Sequence, residues 1–400
     1  MPRTAAQPDP RPALQVNDAA GAGMLYDGTV VFLVGLLMTL GVVIVFSASV
    51  GVGPLNLSIE TLLHSPLRHA AFALTAFIGM LIVAHMDYRA LACTTPRRAF
   101  VVLTIFGVAV MLQAAALIIP DRAAGGIGGQ RSVPIPIGGG ALSFQPAEFG
   151  KVALVLALAG LLTCRWFSIR SFLRGFLPVV LCCGLLIGLT GLADFGTAAL
   201  LGVMTLILLI LGGARWLHLA AMALAGAGAG AILILAAPYR IERIRTFLSG
   251  AADEAGSGYQ IRQSLIAIGS GGWWGRGLGA SVQSYGYLPQ ANNDFVFAVI
   301  CEELGVIGGI GVIGVFLLLL FRGLFLARQA PDAFGRLLAT GLAVMIGLQA
   351  AFNVGVVTHA LPTKGISLPF VSEGGSGIVF LGLGAGLLAA VGRGAARRSA

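Results

Sequence analysis

The chain has 400 residues, of which 57% are hydrophobic and 10% charged, where a soluble domain carries about 25% charged residues. So little polar material does not cover a water-facing surface, so the composition excludes a soluble enzyme and predicts an integral membrane protein. The net charge of +9, from 25 basic and 16 acidic residues, then reads as a topology signal or a match to an anionic membrane substrate, and not as a nucleic-acid interface.

In chain order, residues 1–28 are rich in Pro, Ala and Asp and are expected to form a disordered cytoplasmic tail, with no cleavable signal peptide. Ten apolar runs follow, near 29–50, 69–86, 99–120, 148–164, 176–193, 196–213, 217–237, 294–321, 337–361 and 376–392. Each is close to the length a membrane-crossing helix needs, so the predicted fold is all-α, with about ten transmembrane helices in a membrane domain over 29–392. Only Ala193-Asp194-Phe195 separates the fifth run from the sixth, as a tight hairpin or a polar break within the membrane.

Basic residues set the orientation. Fifteen arginines fall on one set of segments, among them Arg3, Arg97, Arg174, Arg322 and Arg397, whereas the short loops of the other side hold only Arg68, Arg122, Arg131 and Lys364. The positive-inside rule then places both termini in the cytoplasm, with 393–400 as a basic cytoplasmic tail. The 238–293 stretch between helices 7 and 8 becomes a large extracytoplasmic loop. The 58 glycines, scattered at small-xxx-small spacings, suit tight helix packing. Cys93, Cys164, Cys182, Cys183 and Cys301 have no metal-ligand spacing and read as small buried hydrophobes.

An ionisable group in hydrocarbon is costly and needs a partner or a function, so the scarce charges mark the candidate site. Glu148 and Lys151 stand three apart at the start of the fourth run, an ion pair that either holds the helix entry or lines a polar cavity. Asp194 is placed to cap a helix. Asp294 stands where the long loop runs into the eighth span, between water and apolar wall; partial desolvation there suits a general base, while a plain N-cap is the local alternative. Glu302 and Glu303 follow about 12 Å deeper along a helix rising 1.5 Å per residue, as hydrogen-bonded carboxyls inside the bundle.

The long loop interleaves apolar residues with Arg240, Arg243, Arg245, Arg262 and Arg276, which predicts a segment lying on the membrane surface. Its arginine forks and glycine N–H groups fit a diphosphate or ordinary lipid headgroups. Lys364 stands between Pro362 and Pro369, followed by Ser372 and Glu373, in a broken polar region that survives at membrane depth only by lining a cavity. No Walker, HExxH or CxxC pattern occurs, so nucleotide hydrolysis and zinc chemistry have no support.

Four blocks give these residues a wider context: Phe-Gln-Pro-Ala-Glu-Phe-Gly-Lys at 144–151, Ala-Asp-Phe-Gly-Thr-Ala at 193–198, Gly258 through Gly305, and Asn353 through Ser376. On them the sequence resembles the SEDS family (shape, elongation, division and sporulation) of peptidoglycan glycosyltransferases over about 27–392, closer to its division-type than its elongation-type members. It departs from the family pattern at Gln290, Asn292, Asn293, Glu373 and Gly377. The resemblance implies a polytopic enzyme of the cell inner membrane that polymerises lipid II into glycan strands with release of undecaprenyl diphosphate, for septal wall synthesis. It implies Asp294 as the catalytic residue, Glu148 and Lys151 as a cavity ion pair, a divalent cation (Mg²⁺ or Mn²⁺) and no organic cofactor. The partners implied are a class B penicillin-binding protein and other divisome proteins. Arg243, Arg245, Arg262, Gln263, Lys364 and Ser372 are the expected substrate-binding residues. The alternatives are an elongation-type polymerase and a lipid II flippase or scaffold without catalysis.

Overall fold

The computed structural model describes residues 26–50, 66–118, 132–137, 140–164, 166, 168–248, 257–283, 288, 291 and 293–399. Nearly all of the expected amino-terminal tail, together with Arg122, Arg131, Gln290 and Asn292, lies outside them.

Each of the ten apolar runs is a helix: α1 (Gly28–Val50), α2 (Pro66–His85), α3 (Pro96–Ile118), α4 (Pro146–Thr163), α5 (Leu177–Ala193), α6 (Phe195–Leu211) and α7 (Trp216–Leu235). Two short helices of the long loop, α8 (Pro238–Leu248) and α9 (Ser257–Gly271), precede α10 (Val296–Gln329), α11 (Ala333–Val357) and α12 (Gly375–Ser399). Among the described residues, nine helical stretches are long and apolar enough to cross a membrane, and α6 is a shorter apolar helix of 17 residues. The basic segment expected as a separate tail continues α12 as helix to Ser399.

The helices sort by burial into an inner group, α4, α11 and α12, and an outer group that turns its apolar side chains outward. Phe100, Met111, Leu217 and Leu224 are all largely exposed, an arrangement stable against lipid tails and not against water. α12 approaches α2 at backbone range: a Cβ on Gly386 would stand 2.5 Å from the Met80 carbonyl oxygen, so glycine sets the contact. At the end of the bundle that holds the start of α1, Arg322 pairs with Asp27 and Arg393 donates to the His85 carbonyl. There the Tyr88 hydroxyl donates to Asp332 at 2.7 Å; burial and that hydrogen bond push it up to about 12. All five cysteines are unpaired, and four are buried.

Two features were not anticipated from sequence. The first is an antiparallel hairpin, β1 (Val133–Ile137) with β2 (Gly140–Phe144), paired from Val133↔Phe144 to Ile137↔Gly140. Pro134 and Pro136 are tolerated because a two-stranded ribbon is all edge. Phe144 anchors it on Phe380 of α12, edge to face at 5.8 Å.

The second is a break in α10. Gly305 adopts φ +73° and ψ −179°, a backbone region essentially confined to glycine. The 272–277 segment supplies the hydrogen bonds the helix forgoes. Arg276 N–H donates to the Glu302 carbonyl (2.9 Å), Gly277 N–H to that of Glu303 (3.0 Å), and Val306 N–H to the Gly272 carbonyl (2.9 Å). The carboxylates beside the break fasten the same loop. Glu302 accepts from Ser281 Oγ at 2.6 Å and Val282 N–H at 2.9 Å, and Glu303 accepts from Ser47 Oγ of α1 at 2.8 Å and Gly279 N–H at 3.2 Å. These two glutamates therefore tie loop, α1 and α10 together, and do not line the cavity described next.

Candidate active site

A cavity of about 710 Å³ opens where α2, α4, α6, α10 and α12 begin. Its walls join segments remote in sequence, and each is positioned by a distinct local interaction.

Asp294 lies two residues before α10, half-buried on the cavity wall. It is not the helix cap: Phe295 occupies that position, with no side-chain cap. The backbone around Asp294 is held from two sides, because Asn353 Nδ2 donates to the Asp294 carbonyl at 2.8 Å and Ser372 Oγ to the Asn293 carbonyl at 2.6 Å. Asn353 also donates to the Ile366 carbonyl at 2.7 Å. The irregular 358–374 segment is thereby fixed against the start of α10. Ser372, expected to bind substrate, is buried and does not line the cavity.

Lys364 and Arg243 share a cationic wall. Asp194 caps α6, accepting from Gly196 N–H at 3.0 Å and Thr197 Oγ1 at 2.7 Å, so the expected cap is present. The Lys364 ammonium sits 4.7 Å above the Phe195 ring. Burial lowers its pKa from the ordinary lysine value; nearby Asp194 opposes that shift and Arg243 adds to it. Arg243 of α8 reaches the same segment and donates to the Thr363 carbonyl at 3.4 Å.

Glu148 and Lys151 form the cavity pair at the start of α4. Lys151 Nζ stands 2.7 Å from Glu148 Oε1 and 2.6 Å from Gln349 Oε1, and Gln349 passes the connection to the Ser367 carbonyl. The pair is both structural and cavity-lining, so the two readings left open by the sequence coexist.

Besides Ser372, three more expected substrate-binding residues lie off the cavity. Arg245 is exposed and pairs loosely with Glu242 at 3.6 Å, Arg262 is exposed on α9, and Gln263 is half-buried there; none lines the cavity. For the two arginines helix geometry is the reason. Two residues along an α-helix turn a side chain by about 200°, so Arg243 facing the cavity turns Arg245 away, and Gln260 facing it turns Arg262 away. Gln260, Thr197, Arg68 and His69 line the cavity and were not singled out from sequence. Arg68 meets Glu373 at 3.5 Å. A polar Arg-His pair at the head of an apolar run was the signal available for two of them.

The donor set bears on metal binding. Among the described residues no three His, Cys, Asp or Glu side chains converge as a cage. Magnesium-like ions bound to phosphate substrates need only one or two carboxylates, the phosphate oxygens and water completing the shell. Asp294, on one cavity with a cationic wall suited to a diphosphate, fits that pattern.

Known proteins share this architecture. The family model for FtsW, RodA and SpoVE, described as "Cell cycle protein", matches residues 28–396. Stage V sporulation protein E of Bacillus subtilis (strain 168) is 37% identical over 365 residues, covering 90% of this chain and 94% of that one. A probable peptidoglycan glycosyltransferase FtsW of Geobacter sp. (strain M18) is 35% identical over 359 residues, covering 88% and 93%. Among solved structures, a chain described under "Structural coordination of polymerization and crosslinking by a peptidoglycan synthase complex" superposes with a TM-score of 0.70 at 26% identity, over 93% of this chain and 98% of its own. Rod shape determining protein RodA of Thermus thermophilus does so with a TM-score of 0.62 at 26% identity, over 92% and 97%. With the whole membrane bundle matched, the chain belongs to the FtsW, RodA and SpoVE family of cell cycle proteins.

Proposed function

We propose that the chain is a peptidoglycan glycosyltransferase that polymerises lipid II into glycan strands and releases undecaprenyl diphosphate. The observation that carries this is the placement of Asp294 on one cavity with Arg243 and Lys364. Asp294 takes the proton of the acceptor sugar's hydroxyl as that oxygen bonds to the anomeric carbon of the growing strand. The bond from that carbon to the diphosphate breaks, and Arg243 and Lys364 neutralise the charge on the departing group. Burial strengthens both contacts by excluding water. A divalent cation held by Asp294 and the diphosphate oxygens would add Lewis-acid stabilisation of the leaving group.

The relatives with FtsW names support a septal role in cell division, and the distribution of basic residues supports both termini in the cytoplasm and the cavity on the outer face of the inner membrane. The structural match to a peptidoglycan synthase complex supports a class B penicillin-binding protein as the partner in the membrane.

The test is purified protein in vesicles carrying labelled lipid II, read both for glycan chains by gel and for transbilayer movement of the label. Polymer formed without transbilayer transfer of the label is the expected result. Transfer without polymer, with or without a co-purified penicillin-binding protein, would instead assign the chain to lipid II flipping.

A further inference from the structure

We propose that His69 is a substrate-binding residue that hydrogen-bonds the uncharged saccharide of the lipid-linked substrate, on a different wall of the cavity from the one that takes the diphosphate. The proposal rests on the glycosyltransferase reading above.

His69 lies in the first turn of α2 and lines the cavity beside Arg68 and Phe72. It is 2% exposed, and neither Nδ1 nor Nε2 has a hydrogen-bond partner among the described residues. Buried polar atoms in folded proteins are nearly always paired, and leaving two unpaired is unfavourable. A side chain kept only for packing would be apolar, as most of α2 is. Glu148 Oε2, also on the cavity and buried, has no partner either. With Thr363 Oγ1 on the Lys364 wall, three cavity-lining residues carry orphaned buried atoms, which points to a ligand that completes them.

Charge identifies its chemistry. The cations near His69 are already compensated, Arg68 by Glu373 at 3.5 Å and Lys151 by Glu148 at 2.7 Å. That wall offers hydrogen-bonding capacity with little net charge. The wall formed by Lys364 and Arg243 presents two cationic groups to the cavity and suits the diphosphate. A neutral imidazole offers one donor and one acceptor. A sugar hydroxyl also donates and accepts, and an N-acetyl amide offers an N–H and a carbonyl. A diphosphate mainly accepts, and would leave the second ring nitrogen unpaired. Phe72, one turn further along α2, gives the same wall an apolar face against which a sugar ring can lie.

The experiment compares wild-type full-length chain with His69→Leu and His69→Gln, the first removing both hydrogen-bonding groups at similar volume and the second restoring a donor and an acceptor. Binding of lipid II and of undecaprenyl diphosphate, which lacks the sugar, is measured for each by native mass spectrometry. KM and kcat for polymerisation and the thermal midpoint are measured alongside. His69→Leu is expected to weaken lipid II binding and raise KM about tenfold, the effect of losing a hydrogen bond. Its kcat changes less than about threefold, its undecaprenyl diphosphate binding is unchanged, and its thermal midpoint does not fall. His69→Gln recovers lipid II binding to within about threefold of wild type. Unchanged lipid II binding in His69→Leu, or an equal loss of undecaprenyl diphosphate binding, overturns the proposal. Should wild-type protein bind lipid II without polymerising it, the glycosyltransferase reading fails, while the binding ratio still decides the role of His69. Absence of any lipid II binding overturns both.

Discussion

Replacing Glu148 by Ala strips a buried lysine of its counter-charge. Lys151 is 2% exposed, and its ammonium stands 2.7 Å from Glu148 Oε1. At that separation and an effective dielectric of about 20, the gross attraction is about 6 kcal/mol. Desolvation of both groups offsets much of that, and removing one partner from a buried pair generally costs about 3–5 kcal/mol. Gln349 Oε1, 2.6 Å from the same ammonium, keeps one hydrogen bond in the variant, so a value near about 3 kcal/mol is expected. The double substitution Glu148→Ala with Lys151→Met removes both charges and should cost less than either single change. The assay is reversible unfolding in mixed micelles at increasing SDS, run as a double-mutant cycle. A loss below about 1 kcal/mol in Glu148→Ala, or a double variant as unstable as the sum of the singles, would refute the reasoning.

Further outcomes follow from single residues. Gly305→Ala puts a Cβ 2.3 Å from the Trp273 carbonyl oxygen at positive φ, and thermal unfolding should show a loss of about 3 kcal/mol or more; wild-type stability would mean the break in α10 is not real. Arg243→Ala should lower kcat/KM by about 10–100-fold, while Arg245→Ala and Arg262→Ala, outside the cavity, should stay within about twofold by the same polymerisation assay. Lys364 has a pKa lowered by burial, so between that lowered value and the ordinary 10.5 the folded state binds fewer protons than the unfolded chain. Stability then rises with pH across that window. The stability of wild type relative to Lys364→Met should therefore climb as pH rises toward 10.5, and a flat difference counts against the burial of the ammonium.

The spans were legible because a helix crossing hydrocarbon leaves a run of one composition, and all ten runs became helices. The site was legible where charge was scarce: Asp294, Lys364 and the Glu148–Lys151 pair stood out because an apolar chain carries few such groups, and they share one cavity. Arg245 and Arg262 did not join them, for a reason the sequence already contained. Once 238–248 and 257–271 are helices, only one arginine of the Arg243/Arg245 pair can face inward. The β1–β2 hairpin was hidden by Pro134 and Pro136, which break the strand pattern, and by its stabilisation through contact with α12. The break at Gly305 was hidden for another reason. It depends on backbone groups of the 272–277 segment about thirty residues away, a pairing that no local pattern encodes.

The central claim is that Asp294 performs chemistry in this cavity. It is tested most directly by measuring undecaprenyl diphosphate released from lipid II by purified wild-type and Asp294→Asn protein, matched for folding by thermal midpoint. Loss of a general base predicts a fall of at least about 100-fold in the variant with its fold intact. Release at the wild-type rate from Asp294→Asn would contradict the account.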